Sequence, residues 1–161
     1  MAASPVQWSV INGEEETGIT ILKSEIGMDD GNILHIEKTK VMPNETCEEL
    51  FERLGELAKT AIITALNMLK GGKYELTPQQ HEKATFTKKL TKENSKVNFS
   101  NSAEEVKNYI NGINMWPVAK VQINNMQLKV YKAEALTNAE IETLGLNNYA
   151  KIGTVAHASN K

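Results

Sequence analysis

The residues best suited to chemistry form one short run, Ser24-Glu25-Ile26-Gly27-Met28-Asp29-Asp30-Gly31-Asn32, with two glycines and three acids in nine residues. Glycine at that density implies a loop with unusual backbone angles. A carboxylate on a loop leaving a strand can accept a proton, orient an imidazole or bind a ligand. The same composition suits a plain turn or a cation-binding loop, although the acids do not follow EF-hand spacing. Other candidates are weaker. His35, His81 and His157 lack metal-ligand spacing, and His35 lies in a strand pattern. Cys47 falls in the first turn of a helix, where a thiolate gains stabilisation. It also fits that helix's apolar stripe, so a core role is expected. Trp8 and Trp116 read as packing residues rather than stacking platforms for bases. No nucleophile elbow, P-loop or dinucleotide fingerprint occurs.

The elements that must position this run are legible on both sides of it. Ser4, Pro5 and Gln7 predict a capping box and a short helix to Ile11, ended by Gly13. Thr17 to Leu22 and Ile33 to Val41 alternate like strands around the loop. Nine residues is long for a hairpin loop, so direct pairing of these strands is left open. Thr46 and Glu49 form a second capping box that opens a helix to Leu69. Its stripe is Leu50, Leu54, Leu57, Ala61, Ala65 and Leu69, widened by Phe51, Ala58 and Ile62. A stripe that broad predicts a helix lying over a sheet. Gly71-Gly72 ends it.

Lys73 to Ser100 is polar with weak periodicity and reads as a basic linker containing a domain boundary. Ser102 and Glu105 open a third helix, with Val106, Tyr109, Ile110 and Ile113 on one face. Val118 to Ile123 and Gln127 to Ala133 alternate as strands about an Asn124-Asn125 turn. Lys151 to Ala156 is expected to form one more strand.

The chain has 161 residues, 40% of them apolar and 24% charged, which suffices for one domain or two small ones with a packed core. No apolar run approaches the ~20 residues of a membrane span. One cysteine excludes a disulfide framework within the chain, and the first ten residues lack the pattern of a secretory signal. The expectation is a soluble, cytoplasmic protein. Residues 1–60 carry 5 basic and 12 acidic groups, whereas residues 61–161 carry 13 basic and 8 acidic. The second half therefore either faces a polyanion or presents a solvated lysine surface.

Several separate segments, in order, resemble the folate-dependent formyltransferases. They are Ser4-Pro5-Val6-Gln7, Gly13-Glu14, Thr17-Gly18-Ile19-Thr20-Ile21 and Gly27-Met28-Asp29-Asp30-Gly31-Asn32-Ile33-Leu34. The later segments resemble the branch of that family that acts on initiator methionyl-tRNA. These are Thr87 to Glu93, Val97-Asn98-Phe99, Ser102-Ala103, Trp116-Pro117-Val118-Ala119 and Leu128-Lys129-Val130. The resemblance implies an α/β fold. Residues 1–80 would be the C-terminal part of a Rossmann-like catalytic domain. Residues 81–100 would be a basic linker, and residues 101–161 part of an OB-like β-barrel domain.

The resemblance further implies transfer of a formyl group from 10-formyltetrahydrofolate to the amino group of initiator methionyl-tRNA. The family uses an Asn, a His and an Asp, and the Asp maps onto Asp29. A carboxylate beside an imidazole orients it and raises its basicity, while imidazole and amide stabilise the oxyanion. Glu25, Ile26 and Gly27 map onto the backbone that lines the folate pocket. Lys88, Lys89, Lys92 and Lys96 are candidate contacts to tRNA phosphates, with a solubilising surface as the alternative. Asp30 and Asn32 depart from the family's usual Thr and Asp. The family's Asn-x-His motif lies upstream of Ser4, so a catalytically incomplete segment is expected. A non-catalytic RNA- or protein-binding module is a second reading, and formylation of glycinamide ribonucleotide or an amino sugar a third. Self-association through open sheet edges is expected.

Overall fold

The computed structural model describes residues 3–146 and 151–158. The first helix, α1 (Pro5–Ile11), starts with proline at its first turn and leads to Gly13 at φ 65°. The expected Ser4–Gln7 capping box does not form. Ser4 is itself left-handed at φ 62° and makes no capping hydrogen bond, whereas a capping side chain needs extended backbone at that position.

Strands β1 (Glu16–Leu22) and β2 (Ile33–Lys40) pair directly and antiparallel, from Glu16 opposite Lys40 to Leu22 opposite Ile33. The open question of pairing is thus settled, with a register shift between Ile21 and Leu22 at the mouth of the acidic loop. Helix α2 (Cys47–Gly71) crosses this sheet, capped by the Thr46–Glu49 box and stopped by Gly72 at φ 63°. Leu50, Leu54, Ala61 and Ala65 are buried, and the first two pack with Val10 and Cys47 against Ile19 and Val41. Arg53 fixes the helix to the end of β2. It chelates Glu45 at 2.7 and 2.9 Å and donates to Thr39 Oγ1 and the Lys40 carbonyl at 2.7 Å each. The buried stripe is narrower than the sequence suggests. Phe51, Ile62 and Leu69 are 56%, 44% and 44% exposed, because a two-stranded sheet covers only part of the helix's apolar arc.

Polar composition hides an ordered path through residues 73–100. Thr77 exchanges two backbone hydrogen bonds with Ile33. Single 3-10 turns form at His81–Lys83 and Lys92–Ser95. Thr87 Oγ1 donates to the Ala3 carbonyl at 2.6 Å, and Trp8 Nε1 to the Lys88 carbonyl at 2.7 Å. Leu90 is fully buried in a second cluster with Ile110, Ile113 and Ala119, and Trp8 and Ile11 pack on it. This segment is therefore packed against α1 and the residues that follow it in sequence.

Helix α3 (Ala103–Gly112) carries the expected Ser102–Glu105 capping box. Gly112 is where it meets α1, since a Cβ there would lie 2.5 Å from Ile11 Cγ1 and 2.9 Å from the Gln7 carbonyl. Buried Asn111 donates to the Ala133 carbonyl (3.1 Å) and accepts from the Ala133 amide (2.8 Å). Strands β3 (Ala119–Ile123) and β4 (Met126–Val130) form an antiparallel hairpin about Asn124 at φ 51°. Among the described residues this sheet has two strands, with a single parallel bridge from Lys96 to Lys120. Helix α4 (Asn138–Thr143) follows, capped by Thr137 and Glu140, and was not anticipated from the sequence. The strand expected over Lys151 to Ala156 does not form. Lys151 to Gly153 turn instead, with Gly153 at φ 80° and the Thr154 amide bonded back to the Lys151 carbonyl.

Candidate functional site

The acidic loop is closed at its neck by the Lys23 amide, which donates to the Asn32 carbonyl at 2.9 Å. Gly31 is required there, because a Cβ would fall 1.7 Å from the Lys23 carbonyl oxygen. Gly27 faces Asp30 so closely that a Cβ would lie 2.7 Å from that residue's side chain. Between the two glycines, Asp29 takes φ 55°. A left-handed non-glycine residue costs about 1–2 kcal/mol, and aspartate is one of the few types that accept it. The loop thus concentrates backbone strain at the residue singled out as catalytic. Residues 23–30 are all exposed, including apolar Ile26 and Met28. Glu25 sits 3.4 Å from Lys23 Nζ.

Two residues from the following polar segment reach this loop. Gln79 Nε2 donates to the Asp29 carbonyl at 2.8 Å and to the Gly31 carbonyl at 2.7 Å. His81 Nε2 lies 3.4 Å from Asp30 Oδ1. Neither was singled out from the sequence as part of the site. They stand some fifty residues along the chain, and no local pattern links them to the loop.

The other candidates separate from it. His35 Nε2 is 3.0 Å from Glu37 Oε1 on β2, half-buried, as its strand pattern suggested. Cys47 is buried at the start of α2, and burial followed by the charge of Glu48 pushes its thiol up to about 11. It is a core residue. Lys88, Lys89, Lys92 and Lys96 are exposed, on the segment whose Leu90 and Ser95 are buried. Among the described residues, no hydrogen bond or ion pair links these lysines to the acidic loop. Nor does any group of three or more His, Cys, Asp and Glu side chains there come together to hold a metal ion.

A two-stranded hairpin with an acidic glycine loop, a long covering helix and a second small sheet define an α/β protein with an exposed carboxylate site. The family model described as formyl transferase matches residues 2–66, and the model of the formyl transferase C-terminal domain matches residues 89–161. The chain belongs to the formyl transferase family. It is 37% identical over 142 residues to a methionyl-tRNA formyltransferase of Lachnospira eligens, covering 88% of this chain and 45% of that protein. A methionyl-tRNA formyltransferase of Agathobacter rectalis is 33% identical over 138 residues, covering 86% and 44%. The fold is also that of the N-formyltransferase from Helicobacter canadensis, solved with folinic acid and dTDP-3-aminofucose. That match has a TM-score of 0.67 at 21% identity over 81% of this chain and 48% of the other. The chain spans less than half the length of the two curated relatives.

Proposed function

We propose that this chain is the segment of a methionyl-tRNA formyltransferase that carries the acidic loop. That enzyme moves the formyl group of 10-formyltetrahydrofolate to the methionine amino group of initiator methionyl-tRNA, in the cytoplasm, for translation initiation. The observation that carries the reading is the 37% identity to a methionyl-tRNA formyltransferase across 88% of this chain. The amino-sugar alternative draws only on likeness of fold, such as that to the Helicobacter canadensis enzyme at 21% identity.

In this reading Asp29 holds the reacting imidazole in register and favours its protonated form as the tetrahedral intermediate collapses. The imidazole and the oxyanion-stabilising amide come from the part of the enzyme that the family places ahead of Ser4. The exposed backbone at Glu25, Ile26 and Gly27 lies against the folate. Lys88, Lys89, Lys92 and Lys96 project from an anchored backbone toward tRNA phosphates. We divide the chain into residues 1–80 of the catalytic domain, a linker at 81–100, and residues 101–161 as part of an OB-like domain begun by the β3–β4 hairpin. The exposed apolar arc of α2 and the open edges of both sheets favour self-association when this segment is isolated.

The test is a chimera in which this chain replaces the matched part of the Lachnospira eligens relative. The folded chimera is expected to formylate methionyl-tRNA from 10-formyltetrahydrofolate and to lose that activity with Asp29→Ala. The isolated chain is expected to be inactive. A folded chimera that leaves methionyl-tRNA untouched, or prefers a sugar amine, would overturn the reading.

A further inference from the structure

We infer that Gln79 is a positioning residue for Asp29, acting as a two-pronged clamp on the backbone of the acidic loop; this rests on the reading of Asp29 given above. The geometry is specific. One amide nitrogen has two hydrogens, and both acceptors are main-chain carbonyls, of Asp29 at 2.8 Å and of Gly31 at 2.7 Å. Two carbonyl acceptors require the nitrogen, not the oxygen, of the side-chain amide. The two bonds fix the orientation of the peptide planes that join Asp29 to Asp30 and Gly31 to Asn32.

The clamp is itself held. Two residues earlier, Thr77 and Ile33 exchange backbone hydrogen bonds at 2.8 and 2.9 Å, which ties the chain ahead of Gln79 to the start of β2. Two residues later, His81 meets Asp30. Gln79 is half-buried while its neighbours at 77–78 and 80–86 are exposed, as a side chain engaged with backbone should be. The loop needs such help. Its side chains are exposed from residue 23 to residue 30, so packing cannot hold Asp29 at φ 55°. Hydrogen bonds to its backbone can, and a carboxylate that must meet an imidazole depends on that angle.

Three variants of the full chain test this. Gln79→Ala removes both donors. Gln79→Glu keeps the shape but presents a carboxylate to two carbonyl oxygens at neutral pH. Gln79→Asn keeps the amide on a stem one carbon shorter. Backbone ¹⁵N order parameters over residues 27–32 are expected to fall from about 0.85 to below about 0.6 in Ala and Glu, with those of β1, β2 and α2 unchanged. The strong intraresidue amide–Hα NOE of left-handed Asp29 is expected to weaken in both. Lowering the pH below the glutamate pKa of roughly 4.3 restores one donor, and with it part of the loop's order relative to wild type at the same pH. Asn is expected to behave as Ala does. In the chimera, Gln79→Ala is expected to lower kcat about tenfold or more while leaving KM for methionyl-tRNA within about twofold.

Unchanged loop order parameters in Gln79→Ala and Gln79→Glu would overturn the clamp, and a loosened loop with kcat unchanged would overturn its positioning role. An inactive wild-type chimera would sink the formyl-transfer reading instead, and the order parameters would still decide whether the clamp exists.

Discussion

Residues 23–30 are exposed throughout, whereas residues 110–114 are buried throughout. Both stretches are fixed in place, but by different forces. At the seam between α1 and α3, Ile113 is fully buried, and Gly112 lets the two helices touch. Asn111 satisfies both ends of its amide on Ala133. Burial makes every group there depend on its neighbours. In the acidic loop no side chain is buried, and shape comes from two obligatory glycines, a neck hydrogen bond and Gln79. The difference teaches that an aspartate can be held at a strained angle while its carboxylate remains open to solvent. Stability is concentrated elsewhere, so the loop can be altered without unfolding the chain.

The sharpest way to break that comparison is Asp29→Gly. Glycine accepts φ 55° without strain, so the fold is expected to gain about 0.5–1 kcal/mol after the added freedom of the unfolded chain is subtracted. Transfer by the chimera is expected to fall by about 10²–10⁴-fold. Thermal melting and single-turnover kinetics check the two halves of this outcome, and a stability loss would mean the carboxylate holds the loop together. Next comes Ile113→Ala, expected to cost about 2–5 kcal/mol in urea unfolding because Ile113 is fully buried. Backbone ¹⁵N order parameters in the acidic loop should be unaltered under native conditions. Loop order that falls with the seam's loss would show that the regions are coupled.

The third prediction concerns the lysine-bearing segment. Replacing Lys88, Lys89, Lys92 and Lys96 together with alanine should reduce the slope of log affinity for tRNA against log salt by roughly 3–4. Titrations at several salt concentrations measure this, and an unchanged slope would assign these side chains to solubility. The smallest effect is electrostatic. Hydrogen bonding to Lys132, then the Thr46 backbone amide, holds the Glu49 carboxyl down to about 2. Its folded pKa lies below its unfolded value, so the stabilisation is complete above roughly pH 4.5 and lost as pH falls toward 2. The pair is half exposed at 47% and 50%, so solvent screening keeps the contribution small. Unfolding free energies of wild type and Lys132→Ala should differ above pH 4.5 and converge toward pH 2.

Much of the scaffold was legible because its signals are local. Thr46 with Glu49 and Ser102 with Glu105 form the capping boxes their spacing predicted, since each pair meets within one helical turn. The alternation about Asn124-Asn125 gave the β3–β4 hairpin for the same reason. Ser4 shows where local reading fails, because its backbone is left-handed and no side-chain pattern reveals that. The linker reading missed Leu90, whose single apolar side chain has no periodic neighbours and is buried only because α1 and α3 meet over it.

By itself the sequence determined helices α1, α2 and α3, the β3–β4 hairpin, the strands on either side of the acidic glycine loop, that loop and, through the order of its segments, the family. Each of these rests on residues close together in the chain, where spacing and side-chain type act directly on the backbone. Only the tertiary structure decided that Gln79 grips the loop, that Trp8 ties α1 to Lys88, and that α2 buries one face while leaving another open. Those contacts join residues roughly fifty or more apart, or depend on how much sheet lies beneath a helix. Their energies appear only when separate elements have packed.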